Sequence, residues 1–357
     1  MRKPEPKSFP LWFEDETINA NYASEYERCL DNLPISSQVN TFATITGVTS
    51  GTDKYWGGVL APNGSIYCSP HQATTILKIN TLNDTISTFG SFVGSYKYAG
   101  GVLAPNGKIY FIPCSATSVL VLDPNDDSTY TFGSITGGSF YWMGGSLNKE
   151  GTKIYCTPHS ATSILVIDIE AESISYITGV VAGAWKYGSS QLSTNGFIYC
   201  VPAHNANTIL KIDTTNDTYS YLTGATGGND AYYSTTLYTD GIIYALPNTL
   251  TIVLRINTNN DTHSVVSIDV GGMMGSCLGI DNKIYGISNG NFKVFEPSNN
   301  SITTIVGLGL SFNQGLVMGL NGKMYSIPRY SDGVIVIGQV IESLNSNLPL
   351  SRFQNKL

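Results

Sequence analysis

A repeat of about 43 residues fills most of the chain between residues 40 and 340. Each copy contains an Ile-Tyr pair, once Met-Tyr, and aligning the copies on this pair gives successive steps of 43, 45, 44, 45, 41 and 40 residues. The seven aligned tyrosines are Tyr67, Tyr110, Tyr155, Tyr199, Tyr244, Tyr285 and Tyr325. Because one copy is too small to bury its own apolar face, a period of this length predicts similar units packed side by side.

Each copy is typical of four short β-strands and not of helices. In the second copy the four apolar segments are YAGGVLA, KIYFIP, SVLVLD and STYTFG. They are rich in Val, Ile, Tyr and Thr and are bounded by Gly, Pro, Asn and Asp, as strands are. Four antiparallel strands in each of seven copies predict an all-β protein, a seven-bladed β-propeller of four-stranded antiparallel blades.

The turn between the first and second strands of a copy has a consistent chemistry. It reads Asn-Gly or Asp-Gly in five copies, Glu150-Gly151 in the third and Asp281-Asn282 in the sixth. Two-residue hairpins need positive φ, which glycine and then asparagine tolerate best. The sequence therefore predicts a tight hairpin in every copy.

The ends of the repeat region indicate how the ring closes. The last copy has three strands but no segment that resembles STYTFG, whereas NTFATITG at Asn40–Gly47 matches the fourth strands of other copies. One amino-terminal strand would then complete three carboxy-terminal ones and leave no open sheet edge. This 1+3 closure predicts a propeller over residues 39–340.

Two extensions flank the predicted propeller. In the amino-terminal extension, residues 1–38, the apolar spacing between Asp15 and Leu33 fits an amphipathic helix. This helix either folds back onto the propeller or docks it onto a larger assembly. The carboxy-terminal tail, residues 341–357, admits the same two interpretations.

Composition narrows the classes of partner and location. Charged residues make up 13% of the chain and the net charge is −7, which argues against nucleic acid as a partner. Pro4 and Pro6 stand where a secretory signal would have an apolar core, and no run approaches 18 apolar residues. We therefore expect no membrane span and a cytoplasmic or virion location.

The six cysteines predict free thiols. Cys68, Cys156 and Cys200 each follow a repeat tyrosine, so they occupy equivalent places in different blades. Such places in a ring are too far apart for disulfide geometry. Buried, reduced cysteines acting as small hydrophobic residues are the expected state.

The first strand of each copy is the candidate site, because in a propeller it lies innermost. Its middle is made of small residues, which we attribute to crowding at the axis. Aromatic residues stand at the start of five of these strands: Tyr55, Tyr98, Trp142, Tyr187 and Tyr232. Lysine precedes three of them: Lys54, Lys97 and Lys186.

This predicted collar has two interpretations. Exposed aromatics with lysines at one channel mouth would stack on and hydrogen-bond to a sugar or a peptide. Alternatively, each aromatic packs as a wedge between neighbouring blades. The solvent exposure of these aromatic rings decides between the two interpretations.

No catalytic residue, metal site or cofactor is predicted. His71, His159 and His204 lie in loops of separate blades, with no second histidine or carboxylate at the spacing that a zinc or iron site needs. The nucleophile-elbow, phosphate-loop and zinc-protease motifs are absent from the sequence.

The Asn-Gly-Lys-Ile-Tyr and Val-Leu-Val-Leu-Asp pattern resembles the repeats of streptogramin-lyase-like seven-bladed propellers over about residues 40–338. That resemblance implies histidines and a glutamate around a magnesium ion, none of which falls on a matching position. The paired glycines are similar to those of kelch repeats, without the tyrosine and tryptophan spacing of that family. The chain also resembles propellers carried by bacterial viruses in their virions or tails.

We expect a non-catalytic binding or structural propeller that engages a protein or a surface glycan, as part of a virion or another large assembly that it joins through residues 1–38. The alternative is a lyase-like enzyme that acts at the channel mouth with a divalent metal.

Overall fold

The computed structural model describes residues 41–136, 138–268, 272–279, 281–288, 291–305 and 313–338. These residues form seven four-stranded antiparallel sheets in a ring, so the predicted seven-bladed β-propeller is confirmed. They contain no helix that is long and apolar enough to cross a membrane. The helix predicted between Asp15 and Leu33 and the tail at 341–357 lie outside the described residues.

The blades follow one another along the chain, and each runs from an inner strand to an outer one. Blade 1 contains β2 (Tyr55–Leu60), β3 (Ser65–Pro70), β4 (Ile76–Asn80) and β5 (Thr85–Phe89). Blade 2 contains β6 (Tyr98–Leu103), β7 (Ile109–Pro113), β8 (Val119–Asp123) and β9 (Ser128–Phe132). Blade 3 contains β10 (Trp142–Leu147), β11 (Lys153–Pro158), β12 (Ser163–Asp168) and β13 (Ser173–Thr178). Blade 4 contains β14 (Tyr187–Leu192), β15 (Phe197–Pro202), β16 (Thr208–Asp213) and β17 (Thr218–Thr223).

The remaining blades have the same order of strands. Blade 5 contains β18 (Tyr232–Leu237), β19 (Ile242–Pro247), β20 (Ile252–Asn257) and β21 (Thr262–Ser267). Blade 6 contains β22 (Gly275–Leu278), β23 (Ile284–Ser288), β24 (Asn291–Glu296) and β25 (Ser301–Ile305). Blade 7 contains β26 (Asn313–Met318), β27 (Met324–Pro328), β28 (Gly333–Gly338) and, as its outer strand, β1 (Thr41–Thr46).

Blade 7 joins the two ends of the described chain, as the 1+3 closure predicts. Strand β1 pairs antiparallel with β28 in an unbroken register from Thr41–Gly338 to Thr46–Gly333. The ring of Phe42 also contacts Phe292 of blade 6, with centroids 5.9 Å apart. The first described strand therefore holds the seam from the outside and covers what would otherwise be an open edge.

The hairpin between the first two strands of every blade has the predicted left-handed residue. Asn282, the non-glycine case, has φ of 66°. The other six positions are Gly64, Gly107, Gly151, Gly196, Gly241 and Gly322, all with φ between 73° and 87°. Only the second residue of each turn pair has positive φ, and in blade 1 the hydrogen bond from Ala61 N–H to Ser65 O closes a three-residue loop. A tight hairpin is therefore confirmed in every blade, but its loop is longer than two residues.

The repeat tyrosine explains the strongest regularity of the sequence. Its ring is buried between blades, and in four blades its hydroxyl bonds to an aspartate of the following blade. Tyr67 Oη donates to Asp127 Oδ1 at 2.6 Å, and Tyr199 Oη donates to Asp261 Oδ1 at the same distance. A lysine also pairs with each of these carboxylates. The tyrosines therefore join adjacent blades on the face that carries the hairpins.

The inner strands are as crowded as predicted. A Cβ atom added to Gly58 would lie 2.6 Å from Ile327 Cδ1, and one added to Gly101 would lie 2.9 Å from Val59 Cγ2. These distances are shorter than a carbon contact allows, so the second glycine of the pair is required by packing. In later blades hydroxyls replace glycines and link strands, as between Ser189 and Thr235 at 2.9 Å.

Cys68, Cys156 and Cys200 are fully buried at equivalent positions and form no disulfide. Burial raises the pKa of each thiol, because it penalises the thiolate. We expect these three to resist alkylation in the native protein and all six cysteines of the chain to react after denaturation without reductant. Mass spectrometry of the alkylated chain checks this. A native pair among the three would contradict the blade register.

Candidate binding site at the channel mouth

The inner strands begin, and the loops between second and third strands lie, on one face of the ring. We call the end of the channel on this face the mouth. A belt of backbone hydrogen bonds lines it from blade 7 through blade 1 to blade 5: Lys97 N–H donates to His71 O at 2.9 Å, and Cys114 N–H donates to Lys97 O at 2.9 Å. Each residue of the belt donates its N–H to the C=O of the residue before it in the series, which gives ten bonds. In order, its residues are Arg329, Lys54, His71, Lys97, Cys114, Tyr141, His159, Lys186, Ala203, Ala231 and Asn248.

The predicted collar is buried. None of its eight side chains is more than 5% exposed. They are Tyr55, Tyr98, Trp142, Tyr187, Tyr232, Lys54, Lys97 and Lys186. The interpretation as an exposed ring of aromatics is therefore corrected, and the alternative, a wedge between blades, agrees with the burial. A binding role for these residues stays a prediction, and their burial argues against it.

Two of the wedges also tie their inner strand to the third strand of the same blade. Trp142 Nε1 donates to Ser163 O at 2.9 Å, and the hydroxyls of Tyr187 and Thr208 lie 2.9 Å apart. All five wedges are buried, so filling the gap between blades explains why aromatic residues recur at this position.

The collar lysines bind loops of the protein itself. Lys186 Nζ donates to Gly183 O and Ala161 O, both at 2.9 Å, and Lys54 Nζ donates to Ser331 O at 2.7 Å. The lysine of the second copy bonds to two carbonyl oxygens in the same way. Burial lowers the pKa of Lys186 to about 8. These ammonium groups fasten the loops of the mouth and present little charge to solvent.

The residue two positions before each wedge has a left-handed backbone conformation, with positive φ, in all five blades in which it is described. Tyr96 O accepts from Ser115 N–H at 3.0 Å and Trp185 O accepts from His204 N–H at 2.8 Å, so the loop of the same blade holds this conformation. The five residues are Asp53 (φ 50°), Tyr96 (φ 53°), Phe140 (φ 57°), Trp185 (φ 58°) and Asp230 (φ 56°). Aspartate tolerates positive φ, whereas a bulky aromatic residue is an outlier there.

Tyr96, Phe140 and Trp185 form what we call the aromatic rim. Trp185 is 43% exposed, and the other two are half-buried with ring centroids 4.7 Å apart. A left-handed conformation costs a residue with a side chain about 1 kcal/mol or more. Strain of this kind is concentrated at ligand clamps and active sites. The rim therefore marks the mouth of blades 2 to 4 as a candidate site.

Beneath the rim lies a second set of rings, Trp56, His71, His159 and Tyr233, which we call the floor. The Trp56 ring lies 5.1 Å from that of His71 and 6.3 Å from that of Tyr233, which in turn lies 6.4 Å from His159. Trp56 belongs to blade 1 and Tyr233 to blade 5, so these rings meet across the axis. Rim and floor are in contact, since the ring centroids of Tyr96 and His71 are 5.2 Å apart.

Both floor histidines are neutral near pH 7. His71 Nδ1 donates to Tyr98 O at 3.0 Å and His159 Nδ1 donates to Phe140 O at 3.3 Å. A carbonyl oxygen only accepts, so each ring carries its proton on Nδ1 and a lone pair on Nε2. Burial lowers the pKa of both histidines to about 4.

Three nitrogen atoms of the floor have no hydrogen-bond partner among the described residues. They are Trp56 Nε1, His71 Nε2 and His159 Nε2. Their side chains are 5%, 1% and 2% exposed. Because a buried polar group without a partner costs about 1–3 kcal/mol, three such atoms in one layer require an explanation.

The carboxylates beside the site are hydrogen-bonded. Arg329 Nε donates to Asp53 Oδ1 at 2.6 Å, and its guanidinium carbon lies 4.3 Å from the centre of the Trp56 ring. On the other side Tyr233 Oη donates to Asp230 Oδ1 at 2.8 Å. Within the described part of the chain no three His, Cys, Asp or Glu side chains are placed to hold a metal ion.

Sequence reasoning missed the rim, and of the floor it singled out only the two histidines, as rejected metal ligands. The rim lies two residues before the predicted collar, outside the strands that were aligned. A signal for it existed, because Asp53 and Asp230 occupy the same position in two blades and aspartate is frequent at positive φ. The floor tryptophan and tyrosine follow the collar residue directly, where alternation along a strand reverses the side chain.

Solved structures share this fold. A streptogramin B lyase is 14% identical, with a TM-score of 0.70 over 86% of this chain and 98% of the lyase. A catalytically inactive virginiamycin B lyase from Staphylococcus aureus, solved with quinupristin, is 13% identical, with a TM-score of 0.71 over 85% and 100%. A chain of the mitotic checkpoint complex is 10% identical, with a TM-score of 0.65 over 86% and 95%. No family model and no curated protein sequence matches the chain. Identities this low show the fold alone.

Proposed function

We propose that this protein is a non-catalytic binding propeller that engages a protein or a glycan partner through the aromatic rim. The observation that carries the proposal is the left-handed conformation of Tyr96, Phe140 and Trp185 at one mouth. The backbone requires positive φ there, and aspartate in blades 1 and 5 meets that need at lower cost. Large rings at a strained and partly exposed position are explained by contact with a partner.

The fold supports a binding role in a second way. The belt of backbone hydrogen bonds and the loop-fastening lysines hold the mouth before any partner arrives. A site held in this way loses little conformational entropy on binding. A role in a virion or another large assembly, with docking through residues 1–38, stays a prediction from the sequence.

The alternative is a lyase-like enzyme that acts at the same mouth with a divalent metal. The likeness in fold to two streptogramin-type lyases favours it. The two neutral histidines of the floor are groups that accept a proton. We place binding first because the blade-specific feature of the mouth is a set of aromatic rings.

The test is Trp185→Asn in the full chain, with partners sought by pull-down and by a glycan array. Asparagine tolerates positive φ, so the melting temperature should stay the same or rise. Loss of a central aromatic contact costs about 2 kcal/mol, or about 30-fold in affinity. Unchanged affinity of the Trp185→Asn protein for every retained partner would exclude the rim.

Two controls separate binding from packing. Leu82→Asn removes an apolar side chain that is 59% exposed on the opposite face, and affinity should not change. Trp142→Ala and Tyr98→Ala remove buried wedges, so they should lower stability by about 3–5 kcal/mol and leave affinity per folded molecule unchanged. A loss of affinity in the wedge variants would restore the predicted collar as the site.

A further inference from the structure

We infer that the face of the ring that carries the mouth is an interface with a second copy of this chain, in which two propellers meet face to face around a two-fold axis. The inference rests on the proposed function and names the partner. It is carried by side chains of the loops that enter blades 2, 3 and 4, which we call the apolar patch: Val93, Tyr96, Phe140, Val181 and Trp185.

The apolar patch is open to a partner as it stands. Val93 is 87% exposed, Val181 is 52% exposed and Trp185 is 43% exposed. These are three of the six large apolar side chains that are exposed in the described part of the chain. Apolar surface concentrated on one face marks a site of protein association. A valine side chain offers a sugar neither a hydrogen bond nor a ring face, so the patch suits a protein better than a glycan.

The repeat shows that the loop itself does not require valine here. Each valine follows a residue that anchors its loop by donating its N–H to a threonine carbonyl oxygen of the preceding blade, at 2.7 Å for Phe92 and 3.0 Å for Val180. Ile135 anchors the loop into blade 3 in the same way at 2.9 Å, and the next residue is Thr136, which is exposed. Threonine has nearly the shape of valine, and water satisfies its hydroxyl. Valine in blades 2 and 4 is therefore explained by a partner surface.

The distribution of charge favours self-association through this face. The net charge is −7, so two copies repel each other. Acidic residues are clustered on the opposite, hairpin-bearing face: the outer turn of blade 2 carries Asp123, Asp126 and Asp127, and that of blade 3 carries three more. The loops of the apolar patch, at 90–96, 133–141 and 179–185, contain no charged residue. Contact through the patch thus keeps the two acidic faces farthest apart.

The order of the side chains suits a two-fold contact. Phe140 is in the middle loop, with Val93 and Tyr96 in the loop before it and Val181 and Trp185 in the loop after it. A two-fold axis through the middle loop sets blade 2 of one copy against blade 4 of the other, so valine opposes valine and one outer aromatic ring opposes the other. Such a contact is isologous and closes at two copies.

The two extensions of the same chain are the competing occupants of the patch. Thr41 and Gly338, the described residues next to them, form a pair at the end of blade 7 that belongs to the hairpin-bearing face. Both extensions therefore begin on the face opposite the apolar patch. A second copy covers the patch without crossing from one face of the ring to the other.

The first test is the mass of the full-length protein, measured by sedimentation equilibrium at pH 7 between about 1 and about 100 μM. We expect a reversible monomer–dimer equilibrium within this range, as for contacts below the standard interface size. A parent protein that is monomeric throughout would overturn the inference. A mass that rises beyond the dimer would also overturn it, because open head-to-tail assembly behaves in that way.

Salt distinguishes an apolar contact from a charged one. Raising the NaCl concentration from about 0.05 to about 0.5 M screens the repulsion between two negative copies, so the dimer should persist or tighten. Dissociation of the dimer by salt would show that charged surfaces form the contact, and the inference would be wrong.

The second test replaces the valines by the residue that the loop into blade 3 carries. Val93→Thr and Val181→Thr each exchange a methyl group for a hydroxyl group, and each change occurs twice in the dimer. Each should raise the dimer Kd about 100-fold. Val265→Thr is the matched control, because Val265 is 46% exposed on an outer strand, and its Kd should equal that of the parent. An unchanged Kd in both loop variants would place the contact elsewhere and overturn the inference.

Melting and partner binding separate the remaining outcomes. The valine side chains are exposed in the monomer, so all three threonine variants should melt at the parent temperature in dilute solution. A monomeric parent whose melting temperature falls on Val181→Thr would show that a segment of the same chain covers the patch, which would overturn the inference. A monomeric parent that binds another partner or a glycan, and loses it on Trp185→Asn, would overturn the inference but leave the proposed function in place.

Discussion

Deletion of residues 1–47 abolishes the single cooperative unfolding transition, or lowers the melting temperature by more than about 10 °C. The deletion removes β1, so β28 loses its outer pairing partner along its whole length and keeps only β27. Val334 and Ile337, now fully buried, would then lie on an open edge strand. Such an edge is also a site of aggregation. Thermal unfolding followed by circular dichroism and light scattering measures both effects.

Deletion of residues 1–39 is the matched control, because it leaves β1 intact. If the two truncated proteins melted alike, β1 would contribute nothing to the seam and the closure would be structurally unimportant. An intermediate result, with a lower but still cooperative transition, fits the pairing of β1 with a single neighbour. In that case the loss should match a few kcal/mol, at about 1–2 °C for each kcal/mol in a ring of this size.

Acidification from pH 6.5 to pH 4 removes up to about 3 kcal/mol of stability for each floor histidine. The pKa of His71 and of His159 is about 4 in the folded protein, against 6.5 in an unfolded chain. Between these values the unfolded chain binds more protons, so the free energy of unfolding falls as the pH falls. One pKa unit corresponds to about 1.4 kcal/mol. Urea unfolding at pH 7, 6, 5 and 4 gives the slope.

Neighbouring charges modify this result in known directions. Around His71, Asp53 favours the protonated ring, whereas Arg329 and Lys97 oppose it. Around His159, Asp230 favours protonation, whereas Lys186 and His204 oppose it. The largest cause in both cases is burial. Four aspartates have a lowered pKa in this fold: Asp126, Asp213, Asp217 and Asp261. Their pKa in an unfolded chain is 3.8, so their contribution to stability is lost below the histidine window.

The double variant His71→Asn, His159→Asn removes both titrating rings and keeps a donor for each carbonyl oxygen. Its stability should change little between pH 6.5 and pH 5, whereas that of the parent falls. His263→Gln should follow the parent curve. A parent protein whose stability is flat over this range would show that the floor histidines are solvated.

The architecture was predictable because the local sequence features that specify it recur in every copy. The Asn-Gly turn, the strand length and the buried tyrosine each recur with one period, so seven weak signals support one another. The closure was predictable for the same reason, since Asn40–Gly47 resembles the outer strands of other copies. The direction of each wedge side chain was harder to predict. The neighbouring blade decides whether Tyr98 or Trp142 points into a gap between blades or into solvent.

The site was not predictable from residue types alone. Positive φ at Tyr96, Phe140 and Trp185 comes from the hydrogen bonds of the loops, and an aromatic side chain gives no sign of it. The floor depends on contact between blades 1 and 5, which are far apart in sequence. The hydrogen bonds that leave His71 Nε2 without a partner are likewise tertiary.

The belt around the mouth has a consequence for how such a protein evolves. Its bonds join N–H and C=O groups only, so no side chain is needed to hold it. Substitution at the left-handed position of a blade can therefore change what the mouth recognises and spare the ring that supports it. Blades 1 and 5 carry Asp53 and Asp230 where blades 2 to 4 carry aromatic rings. The same backbone conformation therefore already holds two kinds of side chain in this chain. A single substitution in one blade is then enough to alter the rim.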